Sequence, residues 1–200
     1  MILYYHPAAC SLAQRIVINE LNIDCSYINV DLKTKTLESG EDFTKINEKG
    51  AVPVLQLNDG TILTEGAIIL QYLADNYNGE KLLPKSGIQR YKVLEWVNNV
   101  SSEIHTSLGS LFIPNLSEDT KELFMKRALA KLEFINKSLS GKDFLYGNNF
   151  SIADVYLFVV VSWCSYVDIK LDKYPNIEKF SKKMAQIPSV LKSLKEEGLV

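Results

Sequence analysis

Cys10 is the side chain in this sequence whose type and position most directly point to chemistry. It follows Pro7-Ala8-Ala9 where the β-rich run ILYYH gives way to a helical pattern. Its sulfur is therefore expected at a helix N-terminus, where amide N–H groups and the helix dipole favour a thiolate. The plainer alternative is a small buried cysteine with no reactivity. Cys25 and Cys164, in a strand approach and an apolar helix, read as that plainer kind. Ala13 stands where a redox pair would place its second thiol, so disulfide exchange at Cys10 requires a thiol from another molecule.

Three further groups could serve such a thiol. Val52-Pro53 opens a strand, where a proline is tolerated because one missing ladder donor costs least. A cis bond there would instead turn the Val52 backbone toward Cys10, so that a peptide-like ligand could add as a short strand. Glu65-Gly66 begins a helix. An acidic residue in a first turn answers the helix dipole, but beside free amides it could also grip a zwitterion, its carboxylate taking the ammonium and the amides taking the carboxylate. Lys35, a surface lysine by default, becomes relevant if a carboxylate-bearing ligand lies along Cys10, Val52 and Glu65. Farther on, Glu95, Asn98, Ser102, His105 and Gly109 recur at helical spacing in a stretch with no Lys or Arg between Lys92 and Lys121. A long helix with so few cations suits packing against another domain or subunit, and His105 could act there as a proton partner near neutral pH. His6 ends the first strand without an evident partner.

The elements that must position these residues follow from hydrophobic periodicity. ILYYH, the helical pattern Cys10–Leu21 and SYINVD form a βαβ unit. Residues 36–50 carry a weak helix or loop pattern. VPVLQL and TILT flank Asn58-Asp59-Gly60 as an antiparallel hairpin, and a helix runs from Glu65 to Tyr77. This order, βαβ-α-ββα over residues 1–80, matches a thioredoxin-like domain. LLPKSG marks a linker over 81–87, and residues 88–200 read as an all-α domain. Val93, Val97, Val100, Ile104, Leu108 and Leu111 predict one continuous helix from Ile88 to Leu111. Ser117–Ser140 is a second helix, and Ser151-Ile152-Ala153-Asp154 opens a third with a capping box. Shorter helices follow over Asn176–Gln186 and Pro188–Glu197.

The overall composition limits the options further. The chain has 200 residues, of which 46% are hydrophobic, enough to bury its own core. With 22 basic and 24 acidic residues its net charge is −2, so the basic footprint of a nucleic-acid binder is absent. Three cysteines without a C-x-x-C pair argue against a disulfide framework or zinc site and for a reducing, cytoplasmic compartment. No apolar run reaches the ~20 residues of a membrane span. The start, MILYYHPAAC, lacks a basic segment and a long apolar stretch, so no signal peptide is expected.

YYHPAACSLA, the VP dipeptide, TEGAIILQYLAD, RYKVLEWVNN and FSIADVYLF, in this order, resemble a bacterial beta-class glutathione transferase over essentially the whole chain. The resemblance implies a homodimer that conjugates the glutathione thiol to small, largely apolar electrophiles, with no metal. It implies a glutathione site at Cys10, Lys35, Val52, Pro53, Glu65 and Gly66, joined by Asn98, Ser102, Glu103, Ile104 and His105, partly across the dimer interface. Cys10 and His105 lie near the glutathione sulfur in such enzymes, with Ser11 and Tyr5 as secondary donors. Two positions depart from the pattern: Ala8 replaces a common glycine, and Thr106 stands where a lysine often follows the histidine. The neighbouring readings are glutathione-dependent thiol exchange or peroxide reduction through Cys10, and a non-catalytic ligand-binding or protein-interaction module.

Overall fold

The computed structural model describes residues 1–200 as two compact units. One comprises Met1–Leu83 with Ile187–Val200, the other Pro84–Gln186.

The first unit is built on a five-stranded mixed sheet of β1 (Ile2–Tyr5), β2 (Ser26–Asp31), β3 (Thr36–Leu37), β4 (Val54–Gln56) and β5 (Ile62–Leu63), in the order β3-β2-β1-β4-β5. β1 and β2 are parallel, with Leu3 opposite Tyr27, and are joined through helix α1 (Leu12–Glu20); the remaining pairs are antiparallel. β1 alternates as a strand must, so Tyr4 meets Val30, Leu37, Phe43 and Val54 on one face. On α1 the buried residues include Leu12, Ile16 and Val17. Helix α2 (Gly66–Asn76) packs beside α1 and buries Ile69, Leu70 and Leu73.

Three local expectations are revised in this unit. The weak pattern over 36–50 is a two-residue strand followed by one 3₁₀ turn, Phe43–Lys45, capped by Asp42. Phe43 inserts into the Tyr4 cluster, and that single anchor replaces the apolar stripe a helix would need. Pro53 lies just before β4 instead of within it. The C-terminal helix, Pro188–Glu196, packs on α1, although its position in the chain suggested the helical domain.

Polar contacts hold that last helix. Arg15 on α1 is buried, with Nε 2.9 Å from Glu197 Oε1 and Nη1 3.4 Å from Glu196 Oε2. Its guanidinium lies over the rings of Tyr27 and Tyr5, at 3.8 and 4.4 Å from their centroids. Asn19 Nδ2 donates to Ser193 Oγ and to Glu196 Oε2, each at 2.8 Å.

The second unit is helical: α3 (Gly87–Asn99), α4 (Thr106–Gly109), α5 (Glu118–Ser138), α6 (Ile152–Ser162) and α7 (Pro175–Ala185). The single helix expected over 88–111 is interrupted by a π-helical turn at Val100–His105. Hydroxyls line this segment: Ser102 Oγ donates to the Asn98 carbonyl at 2.9 Å and Thr106 Oγ1 to the Ser102 carbonyl at 2.6 Å. Such back-bonding satisfies carbonyls loosened by the wider turn. α6 buries every residue from Ile152 to Val161 and starts at the expected capping box. The Asp154 carboxylate accepts from the Ser151 N–H (2.9 Å), the Ser151 hydroxyl (2.7 Å) and the Leu145 N–H (2.7 Å). Asn136 on α5 ties down the start of α7, its Oδ1 accepting from the Asn176 N–H at 2.9 Å. No helix is long and apolar enough to cross a membrane.

Candidate functional site: a cysteine turn beside a cis-proline loop

In the first unit, the β1–α1 turn presents Cys10. Ala9 N–H donates to the His6 carbonyl and Leu12 N–H to the Ala9 carbonyl, winding the chain into α1. Ser11 clasps this turn from inside, its hydroxyl donating to the His6 carbonyl and accepting from the His6 N–H, each at 3.2 Å. Ser11 is fully buried, so its hydroxyl is a structural clasp and not the secondary donor expected from sequence. Tyr5 likewise serves as a packing partner of Arg15 and, edge-on, of Tyr27. Ala8 sits at φ 62°, the left-handed region that explains why a glycine suits this position. Its N–H is held by Glu197 Oε2 at 3.0 Å. His6 Nδ1–H donates to the Val30 carbonyl at 2.8 Å, the partner that sequence could not name.

The Val52-Pro53 bond is cis, the sharper of the two expectations. Cys10 Sγ donates to the Val52 carbonyl at 3.3 Å. The thiol is half-buried, and loss of water around the sulfur pushes its pKa up to about 12. The Cys10 and Ser11 amides pull it down, as the helix-terminus argument requires, but burial outweighs them. In the ligand-free protein Cys10 is therefore a thiol and a hydrogen-bond donor, which corrects the expected thiolate.

Pro53 lies beside the start of α2. A β-carbon on Gly66 would lie 3.6 Å from Pro53 Cγ and 3.3 Å from Gln14 Nε2, so this glycine permits close packing of the loop on α1. Gln14 Nε2 donates to the Gly66 carbonyl at 2.9 Å. Glu65, at φ 68°, caps α2 in the left-handed region, and its carbonyl takes the Ile68 and Ile69 amides. The Gly66 and Ala67 amides are left as the orphan donors of a helix N-terminus. The Glu65 carboxylate forms an ion pair with Lys49, both side chains more than half exposed. Lys35, also at positive φ, donates from Nζ to the Gly50 carbonyl at 2.8 Å. The fold thus brings Cys10, Val52, Pro53, Gly66 and Glu65 together, and Lys35 reaches the same loop. Lys49 and Gln14 escaped the sequence reading. A glutamine on the apolar side of α1 was the available signal for the second.

In the second unit, the π-helical turn carries the remaining candidates. Asn98 and Ser102 are exposed, and Glu103 forms an ion pair with Lys131 that holds its carboxyl below the ordinary range. Ile104 is wholly buried, so its side chain is packing and not a binding contact, a correction to its candidacy. His105 Nδ1 lies 2.6 Å from the Tyr156 hydroxyl. Its ring meets Trp163 edge-on at 4.9 Å and Tyr156 at 5.8 Å, and burial lowers its pKa, favouring the neutral imidazole. Thr106, where a lysine was the common alternative, spends its hydroxyl on helix carbonyls. Tyr156 and Trp163 lie in the apolar stretch of α6 and the turn after it, where periodicity alone marks no polar role. No group of three or more His, Cys, Asp or Glu side chains could hold a metal ion.

A thioredoxin-like unit with one cysteine at its first strand–helix turn, hydrogen-bonded to the residue before a cis-proline, and a helical unit make up the chain. Family models for the N-terminal and C-terminal domains of glutathione S-transferase match residues 5–81 and 100–188. Glutathione S-transferase GstA of Escherichia coli O157:H7 is 42% identical over 200 residues, covering 100% of both chains. A sphingomonad glutathione S-transferase solved in complex with glutathione is 38% identical with a TM-score of 0.95, again over 100% of both chains. A bacterial beta-class glutathione S-transferase from Sphingomonas chungbukensis is 37% identical with a TM-score of 0.96 over the same full coverage. The chain belongs to the glutathione S-transferase family, whose function is conjugation of glutathione, and the beta-class resemblance is borne out.

Proposed function

We propose that this enzyme conjugates glutathione to small, largely apolar electrophiles, with the tripeptide bound along the cysteine turn and the cis-proline loop. The observation that carries this reading is the Cys10 thiol donating to the Val52 carbonyl beside the cis Val52-Pro53 bond. Val52 would pair with the cysteinyl backbone of glutathione as an added strand. The Gly66 and Ala67 amides would take the carboxylate of the ligand's zwitterionic end and Glu65 its ammonium. The exposed Lys49–Glu65 pair is worth only about 0–1 kcal/mol, so a ligand ammonium can displace it. Lys35 serves the other carboxylate. Asn98, Ser102, Glu103 and His105 are assigned to the site by family resemblance, partly across a homodimer interface.

In this mechanism Cys10 is a donor. With ligand bound, its S–H turns from the Val52 carbonyl to the glutathione sulfur and stabilises that sulfur as a thiolate. The thiol proton leaves to solvent, the sulfur lone pair forms the new C–S bond, and the leaving group departs with the electrons of the bond it breaks. A protonated Cys10 favours conjugation over thiol exchange, which requires Cys10 itself as nucleophile. Homodimeric assembly and a cytoplasmic location belong to the same proposal; sedimentation should give twice 22.6 kDa.

Calorimetric titration with glutathione tests the site. Saturable binding that weakens at least tenfold in Glu65→Ala is expected. Absence of heat at millimolar glutathione at several temperatures would overturn the site and leave the interaction-module reading.

A further inference from the structure

The two histidines of this chain meet opposite kinds of partner. His6 Nδ1 faces the Val30 carbonyl at 2.8 Å. A carbonyl only accepts, so His6 must carry a proton on Nδ1. His105 Nδ1 faces a phenol, which can donate or accept, at 2.6 Å. Hydrogen bonds donated by hydroxyls run shorter than those donated by ring N–H groups, and this contact falls in the shorter range. A phenol also gives up its proton more readily than a neutral imidazole N–H does. Both arguments make Tyr156 the donor and His105 Nδ1 the acceptor.

We propose that Tyr156 is a positioning residue that holds His105 as the neutral Nε2–H tautomer, so that the ring offers glutathione a hydrogen-bond donor and no base. This rests on the reading that His105 belongs to the glutathione site. Tyr156 is buried on α6, a helix locked at its start by the Ser151–Asp154 box, and Trp163 closes on the ring edge-on. The imidazole therefore has no freedom to exchange its nitrogens. Nε2 makes no hydrogen bond, so its N–H is the one function of the ring left for a ligand. This tautomer changes the proton's path. With Nδ1 occupied by the phenol and Nε2 already protonated, His105 has no lone pair to take the glutathione proton, which must leave by water. His105 then contributes by donating to the sulfur anion that remains.

The test is long-range ¹H–¹⁵N correlation spectroscopy of the imidazoles in the uniformly labelled, ligand-free full chain at neutral pH. With two histidines, His6 is an internal standard of the Nδ1–H kind. The expected spectrum shows His105 with an acceptor-type Nδ1 and a pyrrole-type Nε2, whereas His6 carries its proton on Nδ1. In Tyr156→Phe the two His105 nitrogens should move toward the average of a freely exchanging imidazole while His6 stays in place. The same variant should lose about tenfold in kcat with the KM for glutathione little changed, the pattern of a lost transition-state interaction. A pyrrole-type Nδ1 at His105 in the wild type, or a Tyr156→Phe spectrum in which His105 does not move, would overturn the assignment. Adding glutathione separates the two readings. A perturbed His105 Nε2 supports both, whereas an unchanged Nε2 beneath an intact Nε2–H pattern overturns the placement of His105 beside the ligand and leaves the tautomer assignment standing.

Discussion

Removing Glu197 should damage the turn that carries Cys10 although the two are far apart in sequence. One Glu197 oxygen sits 2.9 Å from Arg15 Nε and the other accepts from the Ala8 N–H at 3.0 Å. Glu197→Ala leaves a buried guanidinium short of its counter-ion and an amide at φ 62° without its acceptor. Breaking one side of a buried ion pair costs about 3–5 kcal/mol. Glu196, partly exposed at 3.4 Å, retains some compensation and puts the expectation near the lower end, about 3 kcal/mol. For a chain of this length that is a fall of roughly 6–12 °C in Tm. Glu197→Gln keeps an acceptor for Ala8 and should cost about half as much. Trp96 and Trp163 both lie in the helical unit, so their fluorescence would report the wrong region. The assay is thermal and urea unfolding by circular dichroism, with amide exchange read over residues 7–19. Arg15→Ala and the double variant complete a cycle, in which the double loss should fall short of the sum of the single losses by at least about 1 kcal/mol. A loss under about 1 kcal/mol in Glu197→Ala, or strict additivity, would refute the coupling.

Two other outcomes follow from the same geometry. Because burial pushes the Cys10 thiol up to about 12, roughly one molecule in ten thousand carries its thiolate at pH 8. Iodoacetamide alkylation of Cys10, followed by mass spectrometry against Cys10→Ser, should climb about tenfold per pH unit from 7 to 10, and a plateau below pH 8 would contradict the burial argument. Asp154→Ala should cost about 3 kcal/mol or more by stranding the Leu145 and Ser151 donors and the start of α6, measured by urea unfolding. Burial raises Asp154 to about 6. Between the ordinary carboxylate value and 6 the folded state holds this proton more tightly than the unfolded chain, so the Asp154 share of stability declines as pH rises through that window. Asp154→Asn should flatten that slope.

Much of this was local and therefore legible in one dimension. The βαβ unit, the Asn58-Asp59-Gly60 hairpin and the capping box at Ser151 follow from periodicity and short-range hydrogen bonding, which depend on neighbours within a few residues. The positions of Cys10, Val52-Pro53 and Glu65 at element starts were read from the same signals. What tertiary structure decided depends on groups distant in the chain. Whether Cys10 ionises is a contest between nearby amides, visible in sequence, and burial by the whole unit, which is not. Ser11 turns inward and Ile104 enters the core because of the packing around them. The last helix joins the sheet unit through Arg15, Asn19 and the two glutamates, about 180 residues apart in contacts such as Arg15–Glu197. His105 gains its meaning from Tyr156, a residue that reads as core because its ring is core while its hydroxyl is not. Sequence determined which residues could do chemistry; only the folded surroundings, by setting desolvation and supplying partners, determined their protonation states.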